Sequence, residues 1–137
     1  MIIRRADDET EAGALPSTEL LDAMGKYNEE LVKAGVMLDG AGLHPTSRGA
    51  KVRFSKGTKS VIDGPFTEAK ELIAGYSIIE AASLDEVVER VKRWPTIDGH
   101  GNVTIEIRRI AGIEEYDTAT EEVIEQERRM REQTGTA

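Results

Sequence analysis

Two spacings of apolar residues alternate along the chain. Residues 1–5 open with Met1-Ile2-Ile3 and predict a short strand. Residues 6–16 are small and polar, hold Gly13 and Pro16, and predict a loop. Leu20, Met24, Tyr27 and Leu31 then fall at offsets 0, 4, 7 and 11, which is one face of a helix. Ser17 or Thr18 can cap it, Glu19 suits its first turn and Gly35 can stop it. Residues 36–38 predict a short strand that ends at Gly40-Ala41-Gly42. Residues 50–55 and 59–62 alternate on either side of Lys56-Gly57-Thr58, as a β-hairpin does. Asp63-Gly64-Pro65-Phe66 breaks that alternation, and residues 68–71 suggest a helical turn. Residues 73–81, with Tyr76, Ile78 and Ile79, predict the strongest strand. Ser83 and Glu86 form a capping-box pattern ahead of Leu84, Val87, Val88 and Val91 at offsets 0, 3, 4 and 7, and Pro95 ends that helix after Trp94. Beyond the loop Asp98-Gly99-His100-Gly101, alternating Val103, Ile105 and Ile107 predict a last strand. Thr118 with Glu121 predicts the start of a polar tail helix in which Val123, Ile124 and Met130 are the large apolar residues.

The order is strand, helix, strand, hairpin, strand, helix, strand, tail helix. Without the hairpin this is β-α-β-β-α-β, the ferredoxin-like split βαβ arrangement of an α+β fold. Two helices would cover one face of the sheet. The other face would need a cover, so a homodimer is expected. The reading divides the chain into a domain over residues 1–112 and an acidic helical tail over residues 113–137.

Composition narrows the function classes. With 137 residues there is room for one domain, and 39% hydrophobic against 32% charged residues fits a globular chain rather than a disordered one. Cysteine is absent, which removes disulfides, thiolate nucleophiles and Cys-based metal sites. No apolar run approaches the roughly 18 residues that span a bilayer. The opening segment turns acidic at once and predicts no secretory signal, so a cytoplasmic location is expected and no membrane partner. The net charge is −8, and residues 114–137 alone carry eight acids against three bases. Such a balance repels a phosphate backbone and argues against nucleic acid as a partner.

Four features are candidates for chemistry. Asp63, ahead of Gly64-Pro65, is either a carboxylate held at a strand end to accept a proton or an Asx-type turn that satisfies nearby backbone N–H groups. His44 sits between Leu43 and Pro45. It is either an acid or base partner for Asp63, should the hairpin bring the two ends together, or a surface residue. Arg48, Lys51, Arg53, Lys56 and Lys59 run without an acid among them. Lys51 and Arg53 share a hairpin face and are either an anchor for a small anion or a solvated, edge-protecting face. His100 lies between glycines and reads as a surface residue. Two histidines without close acidic spacing give no metal motif, and no cofactor is expected. Gly40-Ala41-Gly42 lacks the Lys-Ser/Thr ending of a phosphate loop. Tyr27, Tyr76 and Trp94 fall at helix or strand positions that suit a core.

The run from Asp63 to Tyr76, Asp63-Gly64-Pro65-Phe66-Thr67-Glu68-Ala69-Lys70-Glu71-Leu72-Ile73-Ala74-Gly75-Tyr76, resembles the signature of the DGPF group of YCII-related proteins. Residues 24–35 resemble that family's first helix, Gly42-Leu43-His44-Pro45 its turn, residues 83–91 its second helix and residues 106–109 its final strand. The resemblance spans roughly residues 1–112. It implies a ferredoxin-like dimer of the dimeric α+β-barrel type with a pocket between helices and sheet, and a His–Asp pair as active site. The Asp maps onto Asp63. The family's His belongs to the first helix, where this chain reads Met24-Gly25-Lys26-Tyr27-Asn28-Glu29, so His44 is the candidate that replaces it. Arg53, Tyr76 and Lys51 are the expected ligand-binding walls. Proton transfer on a small polar or anionic molecule is the function expected, in the manner of lactone isomerases of the same barrel type. The alternative is a non-catalytic regulatory module associated with extracytoplasmic-function sigma factors.

Overall fold

A computed structural model describes residues 1–67 and 71–135. Its strands are β1 (Ile2–Arg5), β2 (Met37–Gly42), β3 (Ala50–Ser55), β4 (Thr58–Asp63), β5 (Ile73–Ile79) and β6 (Ile105–Ile107). The helices are α1 (Asp8–Glu11), α2 (Thr18–Lys33), α3 (Leu84–Val91) and α4 (Glu121–Thr134). Strands β2, β5, β1 and β6 pair in that order, every neighbour antiparallel, into an open four-stranded sheet. This is the strand order of the ferredoxin-like split βαβ fold. The β3–β4 hairpin forms a separate two-stranded sheet inserted between β2 and β5.

The sheet's two faces follow from alternation. Ile2, Arg4, Ser77, Gly75, Ile105 and Ile107 are register partners and share one face. Ile3, Tyr76 and Glu106 share the other. Helices α2 and α3 lie on the Ile2/Arg4 side, since Arg4 holds Asp98, Asp98 accepts from Trp94, and Trp94 packs against Tyr27. Tyr27 of α2 packs at a tilt against Trp94 just past α3, with ring centroids 5.4 Å apart, and its hydroxyl donates to the Arg90 carbonyl at 3.1 Å. Ile2, Ile3, Tyr27 and Leu31 are the buried hydrophobic residues among those described.

Several boundaries differ from the sequence reading. Residues 6–16 are not a plain loop, because Asp7 caps the one-turn helix α1. Its carboxylate accepts from the Thr10 N–H at 2.8 Å while the Thr10 hydroxyl accepts from the Asp7 N–H at 2.9 Å. Strand β2 continues through Gly40-Ala41-Gly42, since these residues find ladder partners in Ser77, Tyr76 and Gly75. The last strand is shorter than expected and begins at Ile105. Ser17 caps α2. Ser83 caps α3 by accepting from the Glu86 N–H, but the Glu86 carboxylate reaches one residue further back, to the Ala82 N–H. Thr120, rather than Thr118, caps the tail helix. The helical turn expected at 68–71 falls largely outside the described residues.

Candidate functional site

The Asp63 turn is built by close backbone packing. Ala50 and Asp63 close the open end of the hairpin. The Gly64 N–H then donates to the Gly49 carbonyl at 3.0 Å, and the Phe66 N–H donates to the Thr46 hydroxyl at 2.9 Å. A Cβ on Gly64 would fall inside the van der Waals envelope of the Thr46 carbonyl, so no residue but glycine fits without movement of the turn. The Thr46 N–H in turn donates to Glu11 Oε1 at 2.6 Å, which ties the turn to α1. Glu11 Oε2 is buried and accepts nothing from a described residue. In the middle of this packing the Asp63 carboxylate is exposed and makes no hydrogen bond or ion pair with a described residue. The Asx-turn reading, with the carboxylate spent on backbone donors, is therefore not what the chain does here.

The fold brings the His44 and Asp63 segments together through Thr46. The His44 side chain, however, faces Arg48, whose Nη1 lies 3.3 Å from both ring nitrogens and so is not aimed at one lone pair. Lys51 and Arg53 share a hairpin face with Ile62 and Ser60, as register demands, while Asp63 lies on the opposite face with Ala50, Val52 and Val61. The Lys51 ammonium nonetheless reaches past the Asp63 turn to sit 4.1 Å from the centroid of the Phe66 ring. Tyr76 belongs to the other sheet, where it pairs with Ile3 and Ala41.

A second polar cluster is buried, and sequence reading did not single it out. Arg4 Nε and Nη2 donate to the two oxygens of Asp98 at 3.1 and 2.7 Å. Trp94 Nε1 donates to Asp98 Oδ2 at 2.9 Å, and Arg4 Nη2 also reaches Asp7 at 3.0 Å. Arg4 and Asp98 are 9% and 4% exposed. Burial pushes the Asp98 carboxyl up, but the hydrogen bonds from Arg4 and Trp94 outweigh it and hold the group below the usual carboxylate range. Burial likewise raises Asp7, and the Thr10 N–H and Arg4 together bring it down. One signal was available in the sequence. Alternation puts Arg4 on the same strand face as Ile2, so its charge must find a buried partner. Which partner is a question of tertiary structure.

Beside this cluster an open groove of about 600 Å³ is lined by Arg5, Asp7, Asn102, Thr104 and Glu106. His100 stands near it with φ +54°, and its Nε2 lies 2.9 Å from Glu9 Oε2 at the surface. Neither Asp63 nor His44 lines that groove. Among the described residues no group of three His, Asp or Glu side chains is placed to hold a metal ion, and no helix is long and apolar enough to cross a membrane.

Comparison with known proteins agrees with the geometry at the level of family. An uncharacterised protein of Rhizobium meliloti (strain 1021) is 39% identical over 66 residues, which is 48% of this chain and 53% of that protein. The chain thus spans about half the length of the curated relative it matches. The YCII-related domain matches residues 1–111, which takes in all six strands and stops ahead of the tail helix. By that match, and by the split βαβ sheet it covers, the chain belongs to the YCII-related family.

Proposed function

We propose that this protein is a small homodimeric enzyme-like binder that moves a proton on a small polar or anionic molecule, with Asp63 as the proton acceptor. The observation that carries the reading is the uncommitted Asp63 carboxylate on a turn with no space for a side chain at Gly64. A carboxylate whose backbone is fixed by neighbours, yet whose oxygens are spent on none of them, suits a group meant to meet a ligand. His44, on the adjoining turn, is the second proton-transfer group. Lys51 and Arg53 supply the positive face that attracts an anionic end. Tyr76 stands on the sheet face turned away from the helices, the face a second copy would cover. Membership of the DGPF group, which the Asp63-to-Tyr76 run suggests, fits the same assignment.

The test is solvent deuterium incorporation, followed by proton NMR, into a panel of small keto acids and lactones in D2O. Wild-type protein is expected to catalyse exchange at a carbon next to a carbonyl in at least one of them. Asp63→Asn should lose that exchange by about 100-fold or more, at an unchanged melting temperature. Exchange that is equal in wild type and Asp63→Asn, or absent from the whole panel, removes the proposal.

A further inference from the structure

The β3–β4 hairpin is a two-stranded sheet with an unpartnered apolar face. Val52, Phe54 and Val61 are 55%, 66% and 69% exposed and stand on one side of it. A lone hairpin of this kind is marginal in water unless something packs on it. Its cations also lack an acidic partner among the described residues. Arg48, Lys51, Arg53, Lys56 and Lys59 have no described carboxylate within ion-pair distance; Lys51 and Lys59 rest on Phe66 and Phe54 instead.

The tail presents the complement. Glu114, Asp117, Glu121 and Glu122 have no described cation within ion-pair distance, because Arg128, Arg129 and Arg131 pair within α4, with Glu125, Glu127 and Glu132. Val123 and Met130, seven residues apart and so on one helix stripe, are 43% and 47% exposed. Among the described residues no hydrogen bond or ion pair joins tail to hairpin within one chain; the tail helix packs on the turn at residues 113–115 instead, and tail and hairpin leave the four-stranded sheet from opposite edges, β6 and β2.

We propose that the acidic C-terminal segment, residues 114–135, of one copy docks on the basic hairpin of a second copy. Val123 and Met130 meet Val52, Phe54 and Val61, while Glu121 and Glu122 meet Lys56 and Lys59. Two-fold symmetry makes the contact twice. The idea stands apart from the proton-transfer reading and does not depend on it.

The experiment uses the full chain. Ordinary and ¹⁵N-labelled protein are co-refolded from urea at 1:1, treated with a zero-length carbodiimide that joins amines to carboxylates, and read by mass spectrometry. Links from Lys56 or Lys59 to Glu121 or Glu122 are expected, about half of them between unlike isotopes, as random pairing of two chains requires. Same-isotope links alone place the contact inside one chain and overturn the proposal, and so does an absence of hairpin-to-tail links. As a second measurement, Lys56→Glu/Lys59→Glu and Glu121→Lys/Glu122→Lys should each weaken self-association at least tenfold by sedimentation. Mixing the two variants should restore it, because every contact in the mixed pair then joins opposite charges. Mixing that restores nothing is equally fatal. The deuterium assay reads the Asp63 proposal independently of either result.

Discussion

Arg4 holds both oxygens of Asp98 across 94 residues of chain, and in doing so it fastens the first strand to the loop that follows α3. Removing one partner leaves a buried charge without compensation. Asp98→Ala should therefore cost about 3–5 kcal/mol, measured by urea unfolding. The double variant Arg4→Met/Asp98→Ala should cost less than Asp98→Ala alone, since it leaves no stranded guanidinium. A double variant less stable than the single one contradicts this account.

The same pair sets an acid limit. The Asp98 and Asp7 carboxyls are held below their ordinary range in the folded protein, so the folded state binds fewer protons than the unfolded one. Their contribution is complete above the unfolded value, about 3.9, and is lost as pH falls through the lower folded values. Unfolding free energy should drop steeply below about pH 4 in wild type and less steeply in Asp98→Asn. Parallel pH profiles for the two proteins would show that Asp98 is not the group responsible.

Two glycines should respond oppositely to alanine. At Gly64 the added methyl meets the Thr46 carbonyl, and Gly64→Ala should lose about 2 kcal/mol or more. Gly25 lies on an exposed stretch of α2 with open space around it, and Gly25→Ala should gain about 0.5–1 kcal/mol. Thermal melts of the two variants check both signs at once.

Thr120→Ala should remove the cap of α4, with a loss of helical signal and about 1 kcal/mol from the tail's own opening free energy. Thr118→Ala should leave both unchanged. Amide hydrogen exchange at Val123, whose N–H donates to the Thr120 hydroxyl, reads the difference directly.

Much of the fold was legible because helix faces, caps and hairpin turns are local. Leu20 to Leu31 declare one helical stripe by spacing alone, and Ser17 and Ser83 cap where their side chains can reach the next turn. Some misreadings were local, as at the Asp7–Thr10 box and the Thr120 cap, and others lie where the deciding partner is distant. Gly40-Ala41-Gly42 carries no strand propensity and becomes strand because β5 offers it a ladder. Helix α1 is a single turn that closes around Asp7, whose carboxylate Arg4 also holds. The candidate site divides in the same way. Asp63 stood out by its Gly-Pro neighbours, but its freedom from backbone donors follows from Thr46 and Gly49 taking the turn's N–H groups.

By itself, then, the sequence determined the element order apart from α1, the helix faces and the hairpin, because those follow from side-chain period and turn chemistry within a few residues, while the family was legible only through the resemblance of the Asp63-to-Tyr76 run. Only the tertiary structure decided that Arg4 and Asp98 are partners and that Thr46 closes over Gly64. Each of these depends on strand register or on the closure of a long loop, and no local rule encodes either.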